Sequence, residues 1–174
     1  MNAVICPDTG KPQEYSHQMK GPDKPKWTRA FKNEIGQLFQ GIRDIEGTNT
    51  CFFIHKNEVP KGIKVTYSRI VCDIIPHKNE THRVLLTVGG DKLSYYDPFS
   101  NPTADLITAQ LHWNSVLSTP YVKYLTVDVK NFYLNNPMNK AENLNIALKI
   151  LPQDIIDTYD LIRKQCDGYV YVRI

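Results

Sequence analysis

Two runs of β-forming residues on either side of a short polar turn constrain this chain most. Residues 65–75 read VTYSRIVCDII, rich in the β-branched and aromatic side chains that suit a pleated surface. Arg83-Val84-Leu85-Leu86-Thr87-Val88 returns after Pro76-His77-Lys78-Asn79-Glu80, and Gly89-Gly90 ends it. Two such runs with a charged tip predict an antiparallel hairpin. The rest must supply something that covers one face of it.

A helix in front of the hairpin is the natural cover. Asp23 can cap it, Pro25 fits its first turn, and Trp27, Phe31, Ile35 and Leu38 form one apolar stripe up to a stop at Gly41. Residues 1–22 hold Pro7, Gly10, Pro12, Gly21 and Pro22 and read as an extended lead-in. Cys51-Phe52-Phe53-Ile54 is a short apolar run, broken by Pro60-Lys61-Gly62. After Asp97-Pro98, a second helix is expected from a Thr103 cap. It carries Leu106, Ala109 or Gln110, Trp113 and Leu117 on one face and ends before Pro120. Residues 122–129 (VKYLTVDV) predict a buried strand, and Asn135-Asn136-Pro137 closes the following turn. A third helix from Pro152 places Ile155, Tyr159 and Ile162 on one face, and Tyr169 to Ile174 alternates as a strand. The order is α+β, without regular βαβ alternation.

Composition narrows the class. An apolar fraction of 41% and a charged fraction of 22% suit a globular chain of 174 residues. No apolar run is long enough to span a membrane, and the opening MNAVICPDTG lacks the features of a secretory signal. Cys6, Cys51, Cys72 and Cys166 lie far apart without zinc spacing, so an intracellular chain, cytoplasmic or nuclear, is expected. A net charge of +3 permits a nucleic-acid partner without requiring one.

The segment with most chemical content runs from Tyr124 to Asn135. An apolar strand delivers Asp128 at its end, and the aromatic Tyr133 follows past a turn. A carboxylate there can hold magnesium, which favours one or two carboxylates plus substrate phosphates, or it can cap the turn. The residues alone leave both roles open.

Val127-Asp128-Val129-Lys130-Asn131-Phe132-Tyr133 resembles the first catalytic motif of copia-type retrotransposon reverse transcriptases. Trp27, Ala30, Glu34 and Leu38 resemble the helix that opens that domain, and Asn49-Thr50 with Pro60-Lys61-Gly62 and Lys64 resembles the next stretch. Thr81-His82-Arg83 running into Leu86 to Gly90 is similar to the returning strand of its fingers hairpin. Pro102-Thr103-Ala104-Asp105 is similar to the helix start before its catalytic strand. These blocks keep the family's order from Trp27 onward.

The resemblance implies a right-hand polymerase fold, fingers and first part of the palm only, with 23–100 fingers-like and 101–174 a fingers helix and incomplete palm. It implies RNA-directed DNA polymerase chemistry, nucleotidyl transfer with two magnesium ions. Asp128 would be the first metal-binding aspartate, aided by the Val129 carbonyl. Tyr133 would gate the incoming sugar against a 2′-hydroxyl, or pack the palm floor. Arg83 would reach the triphosphate, or be a solvated residue near the hairpin tip. Relatives often carry a basic residue where this chain has Leu85. Lys61, Lys64 and Lys78 would meet phosphates of an RNA or DNA template-primer, weakly, or simply solvate the surface.

The hairpin is expected to project as a lobe of its own. The family's two-aspartate motif does not occur: no aromatic-x-Asp-Asp is present, and Asp154, Asp157 and Asp160 read as solvated charges on the third helix. The chain is therefore expected to be an amino-terminal fragment, inactive without the remaining palm and thumb. The competing reading is a small soluble α+β module that binds nucleic acid or protein without catalysis, or a retained fragment with that role.

Overall fold

The computed structural model describes residues 4, 10, 14–77, 80–92, 105–125, 127, 134 and 140–174. The chain forms two compact units, residues 1–93 with 133–174 and residues 94–132. The first is a mixed α+β domain, which agrees with the α+β class read from the sequence.

Helix α1 (Tyr15–Gln18) puts one helical turn in the lead-in expected to be extended, and Tyr15 is buried edge-on against Phe31. Helix α2 (Lys24–Leu38) follows the predicted stripe, with Trp27, Phe31 and Ile35 buried and Leu38 partly so. Asp23 occupies the cap position but makes no capping bond. Its carboxylate pairs with Lys26 at 2.8 Å, a competing charged partner one turn along.

The helix stops at Leu38, ahead of Gly41, because the chain doubles back and caps its carbonyls. Thr48 N–H donates to Gln37 O at 2.8 Å, Asn49 N–H to Phe39 O at 3.0 Å, and Thr50 and Cys51 N–H to Leu38 O at 3.0 and 2.9 Å. These bonds satisfy acceptors that a helix end leaves open.

One five-stranded sheet organises the unit. Its strands are β1 (Phe52–Ile54), β2 (Thr66–Ile74), β3 (His82–Val88), β4 (Asn143–Ala147) and β5 (Tyr169–Arg173), ordered β1-β5-β4-β2-β3. Every pair is antiparallel except β2 with β4. The predicted hairpin is β2–β3, with Asp73 opposite Arg83 and Arg69 opposite Thr87. It is not a lobe of its own: Thr66 and Tyr67 pair with Leu144 and Asn145, so the hairpin continues the sheet.

Strand pairing also fixes which side chains share a face. Phe53, Val172, Leu144 and Thr66 form one cross-strand row and are buried. Val170, Ile146, Cys72 and Val84 join them, and α2 packs on the β3 end. Phe39 stacks on Phe53 with centroids 4.2 Å apart, and Tyr159 leans on both while its hydroxyl donates to Gly41 O at 2.7 Å.

The predicted third helix is two short ones, α4 (Gln153–Thr158) and α5 (Leu161–Lys164). Asp160, in the left-handed region at φ 49°, breaks the register between them. Ile155 is buried as expected, but the break turns Ile162 outward and puts Leu161 in the core. Strand β5 matches the alternation read at 169–174.

The second unit contains helix α3 (Leu106–Ser118), within the predicted bounds. Its cap is Asp105, whose carboxylate accepts Thr108 N–H at 2.7 Å; Thr103, the expected cap, lies outside the described residues. Trp113 stacks on Tyr124 with centroids 4.7 Å apart. Of the strand expected over 122–129, residues 122–125 and 127 belong to no strand, and 126, 128 and 129 lie outside the described residues.

Candidate nucleotide and nucleic-acid site

The helix–hairpin junction carries two of the blocks that resemble the polymerase family. Trp27 meets His82 edge-on with centroids 4.5 Å apart. From the next turns of α2, Glu34 reaches β3 and its carboxylate accepts Leu86 N–H at 3.1 Å. Burial pushes the Glu34 carboxyl above its ordinary value, opposed by that hydrogen bond and by the Arg83 charge. Arg83 itself is exposed on β3, opposite the buried Asp73.

Pro60 to Ile63 forms a tight turn, with Ile63 N–H donating to Pro60 O at 3.2 Å. Gly62 sits at φ +83°, the left-handed position that such a turn demands of its third residue. Lys61 and Lys64 are exposed around it and have no acidic partner among the described residues. That geometry is compatible with phosphate contact and with plain solvation alike.

Thr50 links this region to the end of the Tyr124–Asn135 segment. Its hydroxyl donates to the main-chain carbonyl of Leu134, the residue after Tyr133, at 3.3 Å, and shares a 2.7 Å bond with Thr48. Asp128, Val129, Tyr133 and Lys78 lie outside the described residues. Among the described residues no group of three or more His, Cys, Asp or Glu side chains could hold a metal ion.

The late acids are less idle than their spacing suggested. Asp154 accepts Lys32 Nζ at 2.5 Å and also binds the Arg43 guanidinium. The Lys32 hydrogen bond, with the Lys32 and Arg43 charges behind it, holds its carboxyl below the ordinary value. Asp154 thus ties α4 to α2 and the turn after it. Periodicity on one helix cannot show a partner more than a hundred residues away.

Burial pushes the Cys51 thiol up to about 12 and the Cys72 thiol to about 11, so neither is a nucleophile near neutrality. Among the described residues no helix is long and apolar enough to cross a membrane. No protein-family model, curated protein or solved structure matches the chain.

Proposed function

We propose that this chain is the fingers and first palm portion of a copia-type reverse transcriptase, a right-hand RNA-directed DNA polymerase. The observation that carries the reading is the ordered series of blocks from Trp27 through Asp128 to Tyr133. A binding module without polymerase ancestry has no reason to keep that succession.

Physical coherence among the described blocks supports the reading. Trp27 and Ala30 are buried, Glu34 holds β3, Asn49 and Thr50 cap α2, and Pro60 to Gly62 makes the turn toward β2. Thr50 in turn holds the carbonyl next to Tyr133. Residues drawn together by resemblance are thus also drawn together by hydrogen bonds.

In this reading Asp128 and the Val129 carbonyl would hold magnesium, and Tyr133 would exclude a 2′-hydroxyl by bulk. Magnesium would supply charge neutralisation on the triphosphate. Arg83, Lys61, Lys64 and Lys78 would contribute positive charge toward nucleotide and template-primer. Asp128 is one carboxylate of the three such a site uses, so the 174-residue chain by itself is not expected to polymerise.

Sequencing the transcript beyond codon 174 tests the assignment. A frame carrying an aromatic-x-Asp-Asp motif is expected. A transcript that continues with no such motif in any frame would contradict it.

A further inference from the structure

The sheet has a second face, opposite the core. By strand register, Tyr67, Asn145 and Tyr171 form one cross-strand row on it, from β2 across β4 to β5. Tyr67 is 40% exposed, and Asn145 and Tyr171 are partly exposed. The two tyrosines stand two strands apart, about 10 Å between backbones, with Asn145 between them. In the same row Ile54, paired with Tyr171 from β1, is buried, and farther along the face Asp73 and Asn143 are buried, so the open stretch is confined to the middle of the sheet.

Gly89 lies against the Tyr67 ring: a Cβ there would come within 2.6 Å of it, so only glycine lets the two approach. The hydroxyl donates to Asp91 Oδ1 at 2.9 Å, and Lys92 Nζ sits over the ring, 5.1 Å from its centroid, where a stacking base would displace it toward a phosphate. A fixed ring costs little entropy when another ring stacks on it.

Positive charge surrounds the row. Arg69 shares the Tyr67 face one step along β2 and has no acidic partner among the described residues. Arg173, one step along β5 from Tyr171, donates to the main-chain carbonyl of Glu58 at 2.7 Å, a bond that leaves its charge unneutralised. Asp91 lies beside the row, engaged by the Tyr67 hydroxyl, and Asp73 lies farther along the same face of β2.

We infer that this face binds single-stranded nucleic acid. Bases stack on Tyr67 and Tyr171, Asn145 meets a base edge between them, and Arg69, Lys92 and Arg173 meet phosphates. Aromatic rings on an open sheet with flanking cations accept any base, because every base has a π-face. A purely apolar partner would leave the three cations unpaired, whereas a polyanion with flat bases matches both features. The inference adds a contact surface to the polymerase reading but does not depend on Asp128, so the two fail separately.

Fluorescence anisotropy on the full chain tests it, using labelled oligothymidylate of about 12 nucleotides, an abasic strand of equal length and charge, and a duplex. The oligothymidylate should bind roughly five- to a hundredfold more tightly than the abasic strand, the scale of stacking one or more bases. Tyr67→Ala and Tyr171→Ala should each remove most of that advantage, while Tyr67→Phe and Tyr171→Phe, which keep the ring, retain it. Arg69→Ala should weaken both strands alike. Equal binding of oligothymidylate and abasic strand by the parent chain would overturn the inference, whatever the variants do to folding. So would alanine variants that keep the parent's preference.

Discussion

The carboxylate of Glu34 accepts the backbone N–H of Leu86 at 3.1 Å, so a helix side chain closes a hydrogen-bonding position on the outer edge of the sheet. An open strand edge is a template for unwanted pairing, and a covering side chain is one way to blunt it. Glu34→Ala should cost about 1–2 kcal/mol at neutral pH, because Leu86 N–H loses its partner. Glu34→Gln keeps an acceptor and should stay within about 1 kcal/mol of the parent.

The same carboxyl gives a pH dependence with a definite sign. Its folded value is raised above the ordinary 4.5, chiefly by burial, so the folded chain holds this proton more tightly than the unfolded chain. Its contribution to stability is therefore greatest below that value, declines as pH rises through the folded value, and is level above it. Urea unfolding of parent and Glu34→Gln across this range should show the decline in the parent alone. An identical decline in both would remove Glu34 as its source.

Asp154 should behave in the opposite sense. Its carboxyl is held below the ordinary 3.8 by Lys32 and Arg43, so it stabilises the fold above that value and ceases to as pH falls through its folded value. Asp154→Asn should lower the Tm at pH 7, and the deficit should vanish in acid. A deficit unchanged by acid would mean that the side chain acts through packing rather than charge.

Gly47 lies where no side chain fits. A Cβ there would stand 2.1 Å from Phe39 O and 2.3 Å from Gly41 N, both backbone atoms that cannot swing aside. Gly47→Ala should destabilise the chain by about 3 kcal/mol and loosen the turn that brings Thr48 to Cys51 back onto α2. Thermal unfolding measures the first effect, and amide exchange at Thr50 and Cys51 the second. An unchanged Tm would show that the turn opens at little cost.

The elements legible in the sequence were those whose signal is local. Trp27, Phe31 and Ile35 announced α2, the β-branched runs announced β2 and β3, and the alternation after Tyr169 announced β5. Strand β4 was missed, although Asn143-Leu144-Asn145-Ile146 alternates polar and apolar residues with the period of a strand. The stretch Val122 to Leu125 carries stronger β-propensity yet belongs to no strand, because propensity reports fit to a half-buried surface rather than a pairing partner. The ion pairs of Asp154 and the Tyr67–Asn145–Tyr171 row depend on contacts between distant segments, which no local period reveals. Catalytic roles for Asp128 and Tyr133 rest on resemblance alone, since a lone aspartate after an apolar run has two ordinary roles.

The isolated chain should make no DNA in a primer-extension assay with magnesium, deoxynucleotides and an RNA template, because its sequence holds no aromatic-x-Asp-Asp motif to join Asp128 in holding two metal ions. The phosphate-borne part of its nucleic-acid binding, from Lys61, Lys64 and Lys78, should be weak, tolerant of sequence and strongly reduced by salt. Extension product that disappears in Asp128→Asn would contradict the first expectation. Tight binding that survives high salt would contradict the second.

The most direct measurement joins this chain to a copia-type palm and thumb segment carrying the two-aspartate motif and follows primer extension on an RNA template. The joined protein should synthesise DNA, and Asp128→Asn should reduce the rate by about 10²–10³-fold or more, the scale of losing one preorganised electrostatic contact. Asp157→Asn, a surface change on α4, should leave the rate unaltered. Equal rates from the parent and Asp128→Asn, or no synthesis by a soluble and folded joined protein, would contradict the assignment of Asp128 as a catalytic carboxylate.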